Sequence, residues 1–184
     1  MSTTQSEIIY GYGSNISGDL LRARLNNGEW HDTEWRKTGD PVGPDPLFLG
    51  IGVLADHQFK YNLKDGDFTS GNIVANYNDH VYGAIYKITP EQLALLDRDE
   101  DEGTCYTRTA LKVQKIAFDA FGASANNETV TAWCYVGKEE AQVPDDEINP
   151  DPEYVDHLVR YAEERSFPPD YVDQRFRYTA PLLV

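Results

Sequence analysis

Cysteine is scarce in this chain. Cys105 and Cys134 are its only two, and they offer neither a disulfide framework nor a C-x-x-C pair. Cations are scarce as well: 16 Lys and Arg stand against 31 Asp and Glu, a formal net charge of −15 at pH 7. That balance argues against nucleic acid and anionic membrane as partners, because both need a positive face. An anion bound here must be held locally, by backbone amides or a single Arg, against an unfavourable overall field. No hydrophobic run approaches the length of a membrane span. Met1 to Glu7 is polar, without the basic start and apolar core of a signal peptide, so a soluble cytoplasmic protein is the expectation. His31, His57, His80 and His157 are scattered without H-x-x-x-H spacing, which leaves no metal site in the pattern.

What is present suits a globular fold. Of 184 residues, 40% are hydrophobic and 12% aromatic, enough for a core and, by size, for one domain spanning residues 1–184. The 12 tyrosines outnumber the 7 phenylalanines, which points to aromatic surfaces with polar tips.

Most of the chain reads as strands. Leu47 to Leu54 is apolar and interrupted by Gly50 and Gly52, the pattern of a bent strand. Phe59, Tyr61 and Leu63 alternate with polar residues, and Asp65-Gly66-Asp67 turns the chain. Asn72 to Tyr77 and Val81 to Ile88 follow as strands, with Asn78-Asp79 as the turn between them. Thr89-Pro90-Glu91-Gln92 starts a short helix with a Thr cap, Pro at the first position and Gln three residues on. Two more strands, Thr107 to Phe118 and Thr129 to Val136, are joined across Ala123 to Glu128. Glu139 to Asp156 carries eight acids and no Lys or Arg. Asp151-Pro152-Glu153 then caps a helix striped with Val155, Leu158, Val159 and Ala162. After Pro168-Pro169-Asp170 comes a last short turn with Tyr171 and Val172. The prediction is an α+β chain whose meander closes into a barrel or a strongly curved sheet.

One stretch reads as machinery. In Glu7 to Leu25, the β-prone Ile8-Ile9-Tyr10 breaks at Gly11-Tyr12-Gly13-Ser14-Asn15 and resumes as a helix. Ser17 is the predicted cap, Asp19 lies in the first turn, Leu21 and Leu25 share a face, and Asn27-Gly28 supplies the stop. A strand feeding a helix through small residues points several unpaired N–H groups at one spot, which suits a carboxylate or a phosphate. The dinucleotide fingerprint G-x-G-x-x-G fails, because its third position is Ile16. No P-loop Lys follows either. Gly13-Ser14-Asn15 also lacks the G-x-S-x-G elbow of a serine nucleophile.

A second stretch is the acidic knot Asp97-Arg98-Asp99-Glu100-Asp101-Glu102-Gly103. As a calcium loop it fails at Glu102, where Gly is needed, and at Arg108, where Glu is needed. Two readings remain: a solvated charge run, or a loop in which one carboxylate turns inward as a base.

Together these pieces resemble the gamma-glutamylcyclotransferase (AIG2-like) family. Tyr12-Gly13-Ser14-Asn15-Ile16 is similar to its YGSNL signature. Leu96-Asp97-Arg98-Asp99-Glu100, with Tyr106 and Arg108, is similar to its L-D-x-x-E-G…Y-x-R segment. Val81-Tyr82-Gly83-Ala84-Ile85-Tyr86 looks like the strand before it, and Pro169-Asp170-Tyr171 like its tail. The Gly expected after the catalytic Glu is Asp101 here, while Glu102-Gly103 is an actual Glu-Gly pair. Spacing from Leu96 forward and from Arg108 backward favours Glu100, with Glu102 as the fallback.

The resemblance implies a small mixed β-barrel flanked by a few helices, with the pocket at its mouth. It also implies a cofactor-free, metal-free enzyme that converts a γ-glutamyl amide or peptide to 5-oxoproline and a released amine. Glu100 would be the acid/base. Tyr12, Gly13, Ser14, Asn15, Ile16, Tyr106 and Tyr171 would bind the small γ-glutamyl substrate. Beyond the resemblance, Trp30, Trp35 and the Pro-rich loop after them, whose Pro41 to Asp45 is specific to this chain, are the expected substrate walls. Two alternatives stay open: a non-catalytic binder of γ-glutamyl or other small carboxylates, and a biosynthetic variant acting on another γ-glutamyl compound. The oligomeric state stays open, with a homodimer as one possibility.

Overall fold

The computed structural model describes residues 6–30, 36–100, 102–119 and 122–177, with the backbone alone described at 117–119 and 122–127. His31, Trp35 and Asp101 lie outside the described residues. Among the described residues, five strands and four α-helices make an α+β fold. The strands are β1 (Glu7–Gly11), β2 (Leu47–Asp65), β3 (Phe68–Ile88), β4 (Tyr106–Asp119) and β5 (Gly122–Gly137). The helices are α1 (Gly18–Arg24), α2 (Pro90–Asp99), α3 (Pro152–Glu164) and α4 (Pro169–Arg175).

The strands close into a barrel in the order β1-β3-β2-β4-β5. Neighbours are antiparallel except at the seam, where β1 meets β5 in parallel through Ile9 and Trp133. The seam fixes the position of β1, and so of the turn that leaves it.

β2 and β3 form one long hairpin rather than the shorter strands expected. The expected turn at Asn78-Asp79 is a bulge inside β3. Asp56 and Asn78 both have positive φ, 56° and 65°, and the Asn78 N–H donates to Asp56 Oδ1 at 3.2 Å. Pairing jumps there from Ala55–His80 to His57–Ala75. The turn chemistry is real, but partner strands on both sides of it carry the sheet through. The bend expected near Gly50 is also a bulge, at Phe48/Gly50, with Gly50 at φ 131°, a conformation that glycine reaches at low cost. Residues 122–128, partly expected as a connection, belong to β5.

The helix starts follow local chemistry. Leu20 N–H donates to Ser17 Oγ at the head of α1 (3.2 Å). At α2, Gln92 N–H donates to Thr89 Oγ1 and Thr89 N–H to Gln92 Oε1, the reciprocal cap predicted. Asp151 accepts from Glu153 N–H at the start of α3 (2.9 Å). Leu158, Val159 and Ala162 on α3 and Tyr171, Val172 and Phe176 at α4 are buried with Phe59 and Tyr61 of β2 in one core. No helix of the described residues is long and apolar enough to cross a membrane.

Candidate active site

β1 ends at Gly11, and the chain turns through Tyr12 and Gly13 into a 3-10 turn at Ser14–Ile16 and then into α1. The turn is tight because Gly11 has no side chain: a Cβ there would stand 2.4 Å from the Asn15 carbonyl oxygen. Among the described residues, no group accepts from the backbone N–H of Gly13, Ser14 or Asn15 outside the elements. Unpaired amides gathered at one turn are the kind of group that can hold an anion.

Glu100 comes to the same place from the end of α2. Its Oε1 accepts from Asn15 Nδ2 at 3.1 Å and from Arg24 Nη2 at 2.6 Å. Both donors land on Oε1, and among the described residues no donor reaches Oε2. Arg24 Nη1 donates further to Ser14 Oγ and Asn15 Oδ1, each at 3.0 Å. The Arg24 and Glu100 side chains are only 10% and 12% exposed. Burial works against the Arg24 charge, but Glu100 and Asp99 outweigh it and lift the pKa above its usual value.

The acidic knot is no solvated charge run. Asp97 pairs with Arg108 and accepts from Tyr135 OH. Asp99 pairs with Lys37, and Glu100 with Arg24. Glu102 is exposed. Each acid that turns inward therefore meets a cation from another part of the chain.

Two adjoining hollows meet at Glu100. The outer cavity, about 380 Å³, is lined by Arg24, Trp30, Asp99, Asp151 and the β2–β3 hairpin end (Asp65, Phe68, Thr69, Ser70). The inner recess, about 40 Å³, is lined by the turn from Tyr10 to Asn15 with Gly71 and Tyr135. Ser14, Glu100, Tyr106 and Tyr154 line both. Tyr106 OH donates to Gly71 O, and Gly71 N–H donates to Tyr154 OH, each at 3.3 Å. Burial pushes the phenols of Tyr12 and Tyr106 well above their ordinary pKa, and that of Tyr154 up as well, so all three stay neutral hydroxyls. Among the described residues, Arg24 is the one cation lining either hollow.

Of the residues singled out in the sequence, Glu100, Tyr12, Gly13, Ser14, Asn15 and Tyr106 gather here, and Trp30 lines the outer wall. Three expectations fall elsewhere. Ile16 is fully buried and lines neither hollow; its carbonyl accepts from Tyr86 OH. Tyr171 packs against Tyr82 and Phe176, at ring distances of 4.8 and 5.5 Å, and also lines neither. The Pro41 to Asp45 loop is tied to α2 instead, where Gln92 Nε2 donates to Val42 O and Pro44 O. Arg24, Tyr135 and Tyr154 are among the lining residues that pattern-reading missed.

Among the described residues, the two hollows of this closed five-stranded barrel protein are polar and hold one cation, Arg24, next to the carboxylate of Glu100. The sequence model of the AIG2-like family matches residues 80–174. The chain belongs to that family. No curated protein sequence matches it. Among solved structures it is similar to a gamma-glutamyl cyclotransferase (18% identity, TM-score 0.68), covering 96% of this chain and 90% of that one. An uncharacterized protein from Homo sapiens is equally similar (19%, TM-score 0.68), covering 97% and 91%. A gamma-glutamyl cyclotransferase specific to glutathione, from yeast, is 12% identical with TM-score 0.55, covering 96% and 99%. At such identities the likeness is one of fold.

Proposed function

We propose that the protein is a cofactor-independent γ-glutamyl cyclotransferase, with Glu100 as its acid/base. The observation that carries this reading is the state of the Glu100 carboxylate: Oε1 is held by Asn15 and Arg24, while Oε2 is left for a reacting proton. The names of the structural neighbours and the family membership point the same way.

The substrate's own α-amine is the nucleophile. It attacks the γ-carbonyl carbon, a C–N bond closes the five-membered lactam, and the bond to the departing amine breaks. Closing such a ring has high effective molarity, so folding the substrate correctly does much of the work. Of the three ammonium protons, one stays on the lactam nitrogen and two end on the departing amine. Oε2 of Glu100 relays them one at a time. The amides of Gly13 to Asn15 face charge on the glutamyl group, with the neutral phenols of Tyr106 and Tyr154 closing the recess around it. The departing group lies in the outer cavity, among Trp30, Phe68, Thr69 and Ser70.

The experiment is 5-oxoproline release across γ-glutamyl amino acids, peptides and amines, with Glu100→Gln alongside. Turnover of at least one substrate, lost by a factor of 10² or more in Glu100→Gln with the fold intact, is the expected result. Full activity of Glu100→Gln would refute the assignment. Binding without any 5-oxoproline would instead make the protein a γ-glutamyl-binding module on the same fold.

A further inference from the structure

Arg24 has a donor to spare. It is nine-tenths buried and lines the outer cavity, yet among the described residues its buried Nε has no hydrogen-bond partner. Buried guanidinium N–H groups are rarely left unmet, because the desolvation they suffer has to be offset. Its neighbours explain only the two Nη atoms, which serve Ser14, Asn15 and Glu100.

We infer that Arg24 is the residue that binds the α-carboxylate of the incoming glutamyl group, exchanging Glu100 for it as counter-ion during the reaction. The inference rests on the cyclotransferase reading above. Charge balance supports it. At rest, Arg24 and Glu100 neutralise each other. A γ-glutamyl substrate enters with one ammonium and one carboxylate. When an ammonium N–H bond breaks and the proton moves to Glu100 Oε2, Glu100 and the amine both become neutral. Arg24 and the substrate carboxylate are then left to pair with each other: Asp99 is already paired with Lys37, Asp65 and Asp151 on the outer wall are acids, and among the described residues no other cation lines either hollow. Arg24 also spans the right ground: through Ser14 Oγ and Asn15 Oδ1 it is tied to the turn whose free amides face the same anion. A guanidinium serves a carboxylate through two N–H groups at once, and Nε is the one that stands idle.

A substrate–residue cycle tests this. Turnover and calorimetric binding are measured with γ-glutamylalanine and with its analogue in which the glutamyl α-carboxylate is a carboxamide. Both are run on wild type, Arg24→Gln and Arg24→Lys, with binding repeated in a Glu100→Gln background. Wild type should lose roughly 10- to 100-fold in affinity on going to the carboxamide, the usual weight of a hydrogen bond to a charged group. In Arg24→Gln that discrimination should collapse to within about threefold, and in Arg24→Lys it should be partly retained. An undiminished carboxylate preference in folded Arg24→Gln would overturn the inference and leave Arg24 as a group that only holds Glu100. Should Arg24→Gln fail to fold, Arg24→Lys decides: full wild-type discrimination there counts against a two-pronged contact. If γ-glutamylalanine and the other γ-glutamyl compounds neither bind nor turn over in wild type, it is the cyclotransferase reading that fails.

Discussion

The buried ion pair beside the site permits the sharpest test of how α2 is held. Lys37 Nζ donates to both oxygens of Asp99, at 3.2 and 3.1 Å, and the two side chains are 2% and 4% exposed. At these distances, with an effective dielectric constant of about 20, the attraction is about 5 kcal/mol. Taking both ions out of water costs several kcal/mol each, so the intact pair stabilises the fold little against an apolar pair of the same shape. Breaking it is another matter. Lys37→Met leaves a carboxylate buried without its cation and should cost about 3–5 kcal/mol. For a chain of this length that is a fall in Tm of roughly 6–20 °C. Arg98 offers weak relief: its Nε is 3.9 Å from Asp99 on a side chain 65% exposed, which limits it to about 1 kcal/mol or less. Asp99→Leu should cost a similar amount. The double variant Lys37→Met/Asp99→Leu should return to within about 2 kcal/mol of wild type, a strong coupling of the two sites. Urea unfolding of the four proteins measures it. Single variants that each cost under about 1 kcal/mol, or a double variant that costs their sum, would refute the reasoning. Because Asp99 precedes Glu100, the same pair fixes where the catalytic candidate leaves its helix, and the single variants should lose 5-oxoproline release along with stability.

Two further outcomes follow from burial. Tyr171→Ala removes a ring 7% exposed from the Tyr82–Phe167–Phe176 cluster and should cost about 3–5 kcal/mol with KM unchanged; a raised KM at unaltered stability would put Tyr171 in the site after all. The phenols of Tyr10, Tyr12 and Tyr106 are held well above their ordinary value of 10.0, chiefly by burial. The folded chain therefore keeps these protons longer than the unfolded one. The stability they contribute is full below about pH 10 and falls as the pH rises further. Phenolate absorbance should show part of the tyrosines ionising only in step with alkaline unfolding, and a single smooth titration of all of them near pH 10 would contradict this.

The cap of α2 was legible because it is local: Thr89, Pro90 and Gln92 meet within one turn, whatever lies around them. The turn signal at Asn78-Asp79 was legible too, yet it became a bulge, because local chemistry fixes a backbone conformation and partner strands decide whether the chain reverses there. Glu100 shows the limit of this reasoning. Composition reads a run of acids as solvated, and nothing within the run says otherwise. The acids turn inward because cations far along the chain meet them, Arg24 76 residues before Glu100 and Lys37 62 before Asp99. Only the family resemblance, which is a record of that tertiary meeting, could single Glu100 out.

Tyr171 and Tyr154 mark the opposite error. A tail motif drew Tyr171 toward the pocket, whereas its ring fills the core under α4. Tyr154, one position ahead of the apolar stripe and four before Leu158, faces the hollow from α3. It sat in a stretch read for its acids alone. Arg24 did leave a trace in the sequence. It falls three after Leu21 and four after Leu20, both buried, so it occupies the apolar side of α1. A charge on that side is worth questioning in any amphipathic helix, because it must be paired or it must be waiting for a partner. In a chain with a net charge of −15, an inward Arg is also the group that could hold the anionic substrate proposed above. The overall field and the cavity's own Asp65 and Asp151 repel it, so the attraction has to come at contact, from one desolvated guanidinium beside a turn of free amides, where the effective dielectric constant is low.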